Sequence, residues 1–492
     1  MEPPALRLSE TRGRLVVAAA ALASGVALLD GTVVNAAIPA LSHDLSMEVA
    51  GQQWVITGYL LTLSSFIVLG GSLGDRYGRR RVFLIGMIGF AGTSALCGIA
   101  PTAAFLVAGR LLQGVAAALL VPGSLAIISA SFHPDDRAKA IGAWSGFGGV
   151  ATAIGPFLGG WLISAASWRW VFLINAPLVV IAVILTLRAV PETRDEAETG
   201  SIDYAGAVTL SFGLAAVVYV LIEGPAKHWP TYMYALAAAG AVLLVAFIVI
   251  EQRVRRPMVP LVVFRDRQFS GANAVTLVVY AALGAATFFL VVYLQEELGY
   301  SPLEASASLL PIAVLMFFGS QRSAALAQRI GPRIQMSFGP VVIAAGLLLL
   351  ARINRGDAYW TAVFPGTVIL AVGLTIMVAP LTATVLGAID VRRAGIGSAI
   401  NNAVARLGGL LAVATLPAIV GVSGSSIAPG YTAAMRWAAV LALVGAIVAW
   451  ATIRNPLRDG TVRAVPDAEV CGGPPIPSGG PPLVSKAPNV EG

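Results

Sequence analysis

The chain carries little charge for its length. Only 12% of its 492 residues are Asp, Glu, Lys or Arg, and 57% are hydrophobic, whereas soluble proteins average about 25% charged residues. This composition excludes an ordinary soluble protein and indicates a polytopic membrane protein. Lysine occurs only three times, so arginine supplies most of the net charge of +7. Scarce lysine beside abundant Ala, Gly and Val is typical of some bacterial proteins, so we expect a multi-pass protein of the bacterial plasma (inner) membrane.

Residues that form disulfides, metal sites and catalytic sites are also scarce. Of the two cysteines, Cys97 lies in an apolar run and Cys471 in a polar C-terminal segment, which excludes a disulfide between them. The three histidines all fall in predicted loops and form no metal-binding pattern. No nucleophile–base set and no GxxxxGK[ST] phosphate loop is present, which argues against an enzyme and against ATP coupling. We therefore expect no metal and no cofactor.

Long apolar runs dominate what the sequence does contain. A membrane-spanning helix needs about 20 mostly apolar residues, and runs of this kind recur along the whole chain. They lie at 15–38, 52–73, 82–100, 103–131, 138–163, 169–188, 204–223, 230–251, 269–295, 304–327, 335–351, 359–387, 394–421 and 433–453. The runs are continuous rather than short and alternating, so we predict an all-α membrane protein with 14 transmembrane helices.

The basic residues indicate which loops lie inside the cell. If both termini are cytoplasmic, the predicted inner loops hold most of the arginines, as the positive-inside rule requires. The predicted outer loops hold few basic residues, namely Arg169, Lys227, Arg352, Arg355 and Arg436. We expect the inner arginines to face the anionic lipid of the bilayer, so nucleic acid is not an expected partner.

A weak internal repeat divides the chain into two halves. Leu73, Arg76, Gly78 and Arg80 recur with the same spacing as Leu326, Arg329, Gly331 and Arg333. Two related halves favour a transporter whose substrate site lies between them near the membrane midplane. The predicted segments are a cytoplasmic N-terminus (1–14), an N-terminal six-helix half (15–188), a linker (189–268) with an extra transmembrane hairpin (204–223 and 230–251), a C-terminal six-helix half (269–453) and a disordered cytoplasmic tail (454–492).

One acidic residue, Asp30, lies deep inside the first predicted span, which we expect Pro39 to end. An isolated charge there costs roughly 2.5–3.5 kcal/mol on insertion scales, and ionisable residues within membranes are functional by default. Burial disfavours the charged form of a carboxylate, which suits an acid that exchanges a proton. The alternative is a structural carboxylate that pairs with the helix backbone or with an arginine.

Four motifs, in order along the chain, resemble those of the major facilitator superfamily. They are LDGTVVNAAIP at 29–39, GSLGDRYGRRR at 71–81, RLLQGVAAALLVPG at 110–123 and GVATAIGPFLGGWL at 149–162. Together with the predicted topology, they resemble the 14-span drug:proton antiporter family of multidrug efflux proteins, over residues 15 to 453. The resemblance implies two six-helix halves plus a two-helix insertion, a proton motive force as the energy source and a monomer.

The resemblance also assigns roles to particular residues. Proton coupling and substrate handling fall to Asp30, Arg110, Thr32, Asn35 and Gln113, although Arg110 could instead be an arginine that snorkels toward the outer surface. A cytoplasmic gate would comprise Gly71, Asp75, Arg76, Gly78, Arg79 and Arg80, with Asp75 interacting with an opposing helix end. The same loop could simply be solvated and set the topology.

Glycines crowd the fifth span, where the resemblance points to an antiporter motif. Its members are Gly149, Gly155, Pro156, Gly159 and Gly160. Glycines four residues apart let helices approach closely, so ordinary helix packing is the alternative. Further candidates for the walls of a substrate cavity are Tyr59, Asn401, Asn402 and Arg406, each of which could also serve in packing.

These residues favour a proton-coupled efflux transporter that exports hydrophobic or cationic small molecules, such as drugs or antibiotics, by alternating access. Its expected partners are a small-molecule substrate, protons and the bilayer. An alternative is a dedicated exporter of one endogenous metabolite or antibiotic. A non-transporting membrane sensor is disfavoured because the chain offers no sizeable soluble domain.

Overall fold

Helices account for nearly all of the structure. The computed structural model describes residues 6–194, 203–254, 257–389, 394–422 and 427–455. The α-helices of this part are α1 Thr11–Asp44, α2 Val49–Tyr77, α3 Arg79–Gly98, α4 Ala103–Ser131, α5 Pro134–Ala165, α6 Arg169–Leu173, α7 Asn175–Ala189, α8 Tyr204–Ala226, α9 Thr231–Arg253, α10 Arg267–Glu296, α11 Pro302–Ala307, α12 Leu310–Ile330, α13 Pro332–Leu350, α14 Phe364–Gly387, α15 Ala394–Ile419 and α16 Tyr431–Thr452. The predicted tail falls almost wholly outside the described residues.

Within the described ranges, 13 helical segments are long and apolar enough to cross a membrane. Two of them are interrupted, because α6 and α7 together form one segment and α11 and α12 form another. The helix α5 is 32 residues long and ends in the apolar stretch Ile154–Ala165, but it is not one of the 13 segments. The predicted spans thus agree with the structure at 13 positions, and a crossing by α5 stays a prediction.

The first helix is longer than the sequence suggested. The prediction that Pro39 ends it is wrong, because α1 continues through Pro39 to Asp44. A proline inside a helix removes the hydrogen bond to the carbonyl one turn earlier and does not unfold the turns that follow. This correction places Asp30 well inside a continuous helix.

The helices pack into two bundles and a hairpin. In the N-terminal bundle α1 packs on α4, α5 and α7, while α2 and α3 pack on α4; in the C-terminal bundle α10 packs on α15 and α16, and α14 on α12 and α13. The helices α8 and α9 pack on each other, and α8 also contacts α2 and α15. The extra hairpin therefore touches both bundles.

A polar contact joins the hairpin to the first part of α2. The indole Nε1 of Trp54 donates to Glu223 Oε1 at 2.9 Å. On the apolar side, residues of α2, α8 and α15 share one buried cluster that includes Leu61, Val218 and Leu410.

The internal repeat is visible in the backbone at the two loops that join α2 to α3 and α12 to α13. Gly78 and Gly331 end the preceding helices with φ of +106° and +86°, values that side chains with a Cβ rarely adopt. In both loops the guanidinium two residues later donates to a carbonyl of the last helix of its bundle: Arg80 to Leu187 and Arg333 to Trp450.

A side-chain oxygen from the segment after each bundle completes the repeated contact. Glu192 accepts from the backbone N–H of Arg80 at 3.0 Å, and Asn455 accepts from that of Arg333 at 3.0 Å. A Cβ at Gly78 would lie 2.7 Å from Glu192 Oε1, and one at Gly331 would also clash with Asn455. Each loop is thus hydrogen-bonded to the last helix of its own bundle and to the segment that follows this helix.

We predict that Gly78→Ala destabilises the protein by about 1–3 kcal/mol, because alanine adds backbone strain and a clash with Glu192. The measurement is the thermal unfolding midpoint in detergent. Gly92→Ala is the matched control, since a Cβ at Gly92 meets nothing within 4 Å. Equal midpoints for the two variants would contradict the assignment.

Candidate functional site

The centre of the candidate site is a buried ion pair between α1 and α4. Asp30 is 0% exposed and Arg110 is 1% exposed, and Arg110 Nη1 donates to Asp30 Oδ2 at 2.6 Å. The possibility that Arg110 snorkels to the surface is therefore wrong for this structure. A buried charge is tolerated when it is paired and its remaining hydrogen-bonding positions are filled.

Two amides fill the remaining positions on the carboxylate. Gln113 Nε2 and Asn175 Nδ2 both donate to Asp30 Oδ1, each at 3.0 Å. Every partner of Asp30 in this network is a donor, so the group acts as an acceptor on both oxygens. This arrangement suits the ionised carboxylate, because a protonated acid would need an acceptor for its own hydrogen.

Asn175, which begins α7, was not predicted as a site residue. Its amide also donates to Ser94 Oγ at 3.0 Å, and Ser94 in turn donates to the Phe172 carbonyl at 2.8 Å. Asn175 lies inside a predicted apolar span, so a search for buried amides in each span could have found it. The contact brings α3 and α7 to the ion pair.

The arginine of the pair is held from a second direction by α2. Arg110 Nε donates to the Val55 carbonyl at 3.0 Å, and Nη1 also donates to Gln113 Oε1 at 2.7 Å. Its guanidinium lies 4.3 Å from the centroid of the Tyr59 ring, an attractive cation–π geometry. Tyr59 is fully buried in this structure, so it does not line an open cavity here.

The other polar residues of the α1 motif do not join this network. Thr32 Oγ1 donates to the Leu29 carbonyl of its own helix at 2.9 Å. Asn35 is half-buried, and no described hydrogen bond connects its side chain to Asp30. Instead, Thr32 packs against Gly155 of α5, where any Cβ would clash with its hydroxyl.

The glycines of α5 pack the helix that carries Asp30 and also reach the other bundle. A Cβ at Gly159 would lie 2.8 Å from Val33 on α1, and one at Gly160 would lie 2.6 Å from Leu303 Cα on α11. Pro156 lies inside the same helix and is half-buried. The surroundings of Gly149 are outside the part of the chain that the structure describes.

In this structure the predicted gate loop interacts with its own bundle. Asp75 Oδ1 accepts from Arg79 Nε at 2.7 Å, and the Arg79 N–H donates to the Thr193 carbonyl at 2.8 Å. Gly71 lies against Pro122, while Arg76 is exposed beside Tyr77. Among the described contacts, Asp75 does not meet a helix end of the other bundle, and the gating role stays a prediction.

The described hydrogen bonds between the bundles lie at the end opposite this loop. Gln53 Nε2, near the start of α2, donates to the carbonyls of Val413 and Ala414 on α15, at 2.7 and 3.1 Å. Gln295 Nε2 on α10 donates to the Ala36 carbonyl on α1 at 3.1 Å. The close approach of Gly160 to α11 lies at the same end.

Three further candidates lie in the C-terminal bundle, and none of them joins the hydrogen bonds of the ion pair. Asn401 Nδ2 donates to Thr276 Oγ1 at 2.8 Å and to Asn273 Oδ1 at 3.2 Å, both on α10. Asn402 is exposed and donates to the Ser398 carbonyl of its own helix. Arg406 is half-buried on α15.

Two helical bundles with 13 segments able to cross a membrane, and a charge pair buried within one bundle, are features expected of a polytopic membrane transporter. The chain belongs to the Major Facilitator Superfamily, which matches residues 20–413. The resemblance read from the motifs is thereby confirmed, and the chain is a transporter rather than an enzyme.

Curated relatives of the chain are antibiotic resistance and export proteins. Puromycin resistance protein pur8 of Streptomyces alboniger is 34% identical over 460 residues, which cover 90% of this chain and 91% of the relative. The Tetracenomycin C resistance and export protein of Streptomyces glaucescens is 34% identical over 411 residues, 83% of this chain and 76% of the relative. These relatives accord with the drug:proton antiporter family.

Solved structures share the fold at low sequence identity. A bacterial homolog to the human lysosomal transporter Spinster superposes with a TM-score of 0.64 at 17% identity, over 90% of this chain and 96% of that one. A POT family transporter in complex with 5-aminolevulinic acid gives 0.67 at 11% identity, over 91% and 97%.

We predict that Arg110→Leu destabilises the protein by roughly 3–5 kcal/mol, because it leaves the Asp30 carboxylate buried without a counter-charge. The double variant Asp30→Leu with Arg110→Leu should recover a large part of this loss. Chemical unfolding in detergent, monitored for all members of the cycle, gives the measurement. Additive effects of the two substitutions would contradict a direct ion pair.

Proposed function

We propose that this protein is a proton-coupled antiporter that exports hydrophobic small molecules of the antibiotic class. The observation that carries the proposal is the solvent-excluded Asp30–Arg110 pair in a superfamily member whose relatives are named for antibiotic resistance and export. The proposal includes 14 membrane crossings, cytoplasmic termini, a monomer in a bacterial plasma membrane and the proton motive force as the energy source.

The ion pair suits a proton switch because its two protonation states favour different arrangements. When Asp30 is ionised, Arg110 and the two amides hold it in place. When Asp30 binds a proton, its charge disappears, and Arg110 is left buried without compensation. An uncompensated buried charge is costly, so protonation would drive Arg110 to move or the site to open.

The helix α2 offers a physical link from this switch to the contact between the bundles. The Val55 carbonyl accepts from Arg110, and Gln53, on the same turn of α2, holds α15 of the other bundle. A shift of Arg110 would therefore displace the segment of α2 whose Gln53 joins the bundles. With the predicted topology these contacts lie on the outer side, and we propose that this state faces inward.

Alternating access requires the outer and the inner ends of the two bundles to open in turn. In this state the outer contacts are closed and Asp75 is engaged within its own loop. We propose that proton binding from outside accompanies the outward-open state. The release of that proton inside would restore the ion pair seen here.

The second candidate function is export of a single antibiotic or metabolite. It is supported by relatives named for one compound each, such as puromycin, tetracenomycin C and methylenomycin A. Susceptibility tests with a panel of these compounds and ethidium separate the two, because protection against one compound favours the dedicated exporter.

We predict that Asp30→Asn inserts normally but abolishes proton-driven efflux, since the amide cannot exchange the proton and no longer pairs with Arg110. The assay is efflux of ethidium or of a panel antibiotic by cells and by proteoliposomes, with and without an uncoupler. Asp135→Asn is the matched control, because the Asp135 side chain is 70% exposed. Wild-type efflux by Asp30→Asn would refute proton coupling at this residue.

We also predict that Gln53→Leu shifts the protein toward the outward-open state. The substitution removes two cross-bundle hydrogen bonds, each worth about 1 kcal/mol, so the population should shift by roughly 30-fold. Distances between spin labels at Ala166 and Ala358, on opposite bundles at the outer end, report the change.

Gln52→Leu is the control for this experiment. Gln52 is also buried, but its amide donates to Ser42 within its own bundle. The same distance distribution for Gln53→Leu and wild type would rule out a latch at Gln53.

A further inference from the structure

Arg406 is a membrane-embedded cation with unused hydrogen-bonding capacity. Its Nε is buried and has no hydrogen-bond partner within the described part of the chain, and none of the ion pairs among the described residues involves Arg406. A charged donor left unsatisfied away from water costs free energy. Arg110, the buried guanidinium of the N-terminal bundle, is by contrast paired with a carboxylate.

The position of Arg406 is between the two bundles. Three residues before it, Ala403 packs against the buried core of the N-terminal bundle, and three residues after it, Gly409 lies against Gly284 of α10. Residues three apart share a helix face, so Arg406 lies on the face of α15 that is between the two bundles.

Along α15, Arg406 lies on the inner side of the closed outer contact. It precedes Val413 by seven residues, or about 10 Å of helix. This depth is near the middle of the membrane, where transporters of this general design bind their substrates.

Among the described residues, the acids of the membrane helices are either already paired or lie at helix ends. Asp30, the deep acid among the described spans, already has Arg110 and two amides as partners. The other acids of the membrane helices lie at helix ends, for example Glu223, Glu251 and Glu296. A cationic substrate beside Arg406 would meet a like charge in a medium of low dielectric, whereas an anion would compensate it.

We propose that the exported substrate carries an acidic group, a carboxylate or an ionised phenol, which pairs with Arg406. The inference rests on the proposed export function and names its substrate class. Guanidinium binds carboxylates through paired, charge-assisted hydrogen bonds. The rest of the substrate is apolar, in keeping with the proposed function.

The proposal separates the substrate from the proton. The acidic group binds in the C-terminal bundle at Arg406, while the proton binds in the N-terminal bundle at Asp30. Arg110 contacts the Tyr59 ring of α2, and α2 packs against α15, which carries Arg406. Substrate and proton thus act on neighbouring helices and do not compete for one carboxylate.

The experiment compares three probes of the same shape and different charge. They are anthracene-9-carboxylate, its methyl ester and 9-(aminomethyl)anthracene. Binding to the purified full-length protein in lipid nanodiscs is measured by fluorescence titration. We expect the wild type to bind the carboxylate at least about tenfold more tightly than the ester or the amine, as one charge-assisted pair would give.

Two substitutions at Arg406 test whether this residue causes the preference for the carboxylate probe. Arg406→Gln should remove the tenfold advantage of the carboxylate and leave binding of the ester within about twofold, whereas Arg406→Lys should retain part of the advantage. Arg322→Gln is the matched control, because Arg322 is an arginine of α12 that is exposed and free to reach water. This variant should keep the wild-type preference.

Several outcomes would overturn the inference. Equal binding of the three probes, tighter binding of the amine, or an equal loss of all three in Arg406→Gln would each contradict an acid site at this residue. If Arg406→Gln does not fold, Arg406→Lys with no carboxylate preference and an unchanged unfolding midpoint also counts against it.

Transport of the same probes distinguishes this inference from the proposed function. Wild-type proteoliposomes that export the ester or the amine with a proton gradient, but not the carboxylate, refute the acid preference and leave proton-driven export standing. Failure to export any of the three probes or any panel antibiotic would instead refute the proposed function.

Discussion

The burial of one carboxylate, Asp30, constrains most of the N-terminal bundle. In a membrane no water can solvate this charge, so the protein must supply its partners from other helices. Arg110 comes from α4, Asn175 from α7, and α2 holds the arginine through Val55. Four helices are thus fixed relative to one another around a single group. Small residues complete the arrangement, since Gly155 and Gly159 let α5 approach the helix that carries the acid.

The same interaction explains how a change in the protonation of Asp30 could alter contacts far from the site. The segment of α2 that contacts Arg110 also contains Gln53, whose amide joins the bundles at their closed end. The hairpin adds a second connection, because Glu223 of α8 accepts from Trp54 on this segment of α2. The helix α2 is therefore the element through which the ion pair, the hairpin and the other bundle meet.

Much of this could be predicted from the sequence, for reasons that are physical. A span must be long and apolar, so the helices were found to within a few residues, and an isolated intramembrane acid identified Asp30. The loop repeat was recognisable because Gly78 and Gly331 serve a backbone conformation that few other residues adopt. Contacts between distant segments could not be read in this way. Asn175 resembles any polar residue in a span until α7 is placed beside α1, and Thr32 looked like a neighbour of Asp30 although its hydroxyl turns back to its own helix. The end of α1 was misjudged because a proline near the last turns breaks a single hydrogen bond.

The acidic substrate proposed for Arg406 has a consequence for how the electrical potential across the membrane drives export. An acidic molecule that leaves a negatively charged cytoplasm carries its charge down the electrical potential, and a proton that enters in exchange does the same. Each elementary charge gains about 2.3 kcal/mol per 100 mV. A cycle that exchanges a monovalent anion for one proton would thus draw on the electrical potential twice, so export of acids would continue even when the external and internal pH are equal.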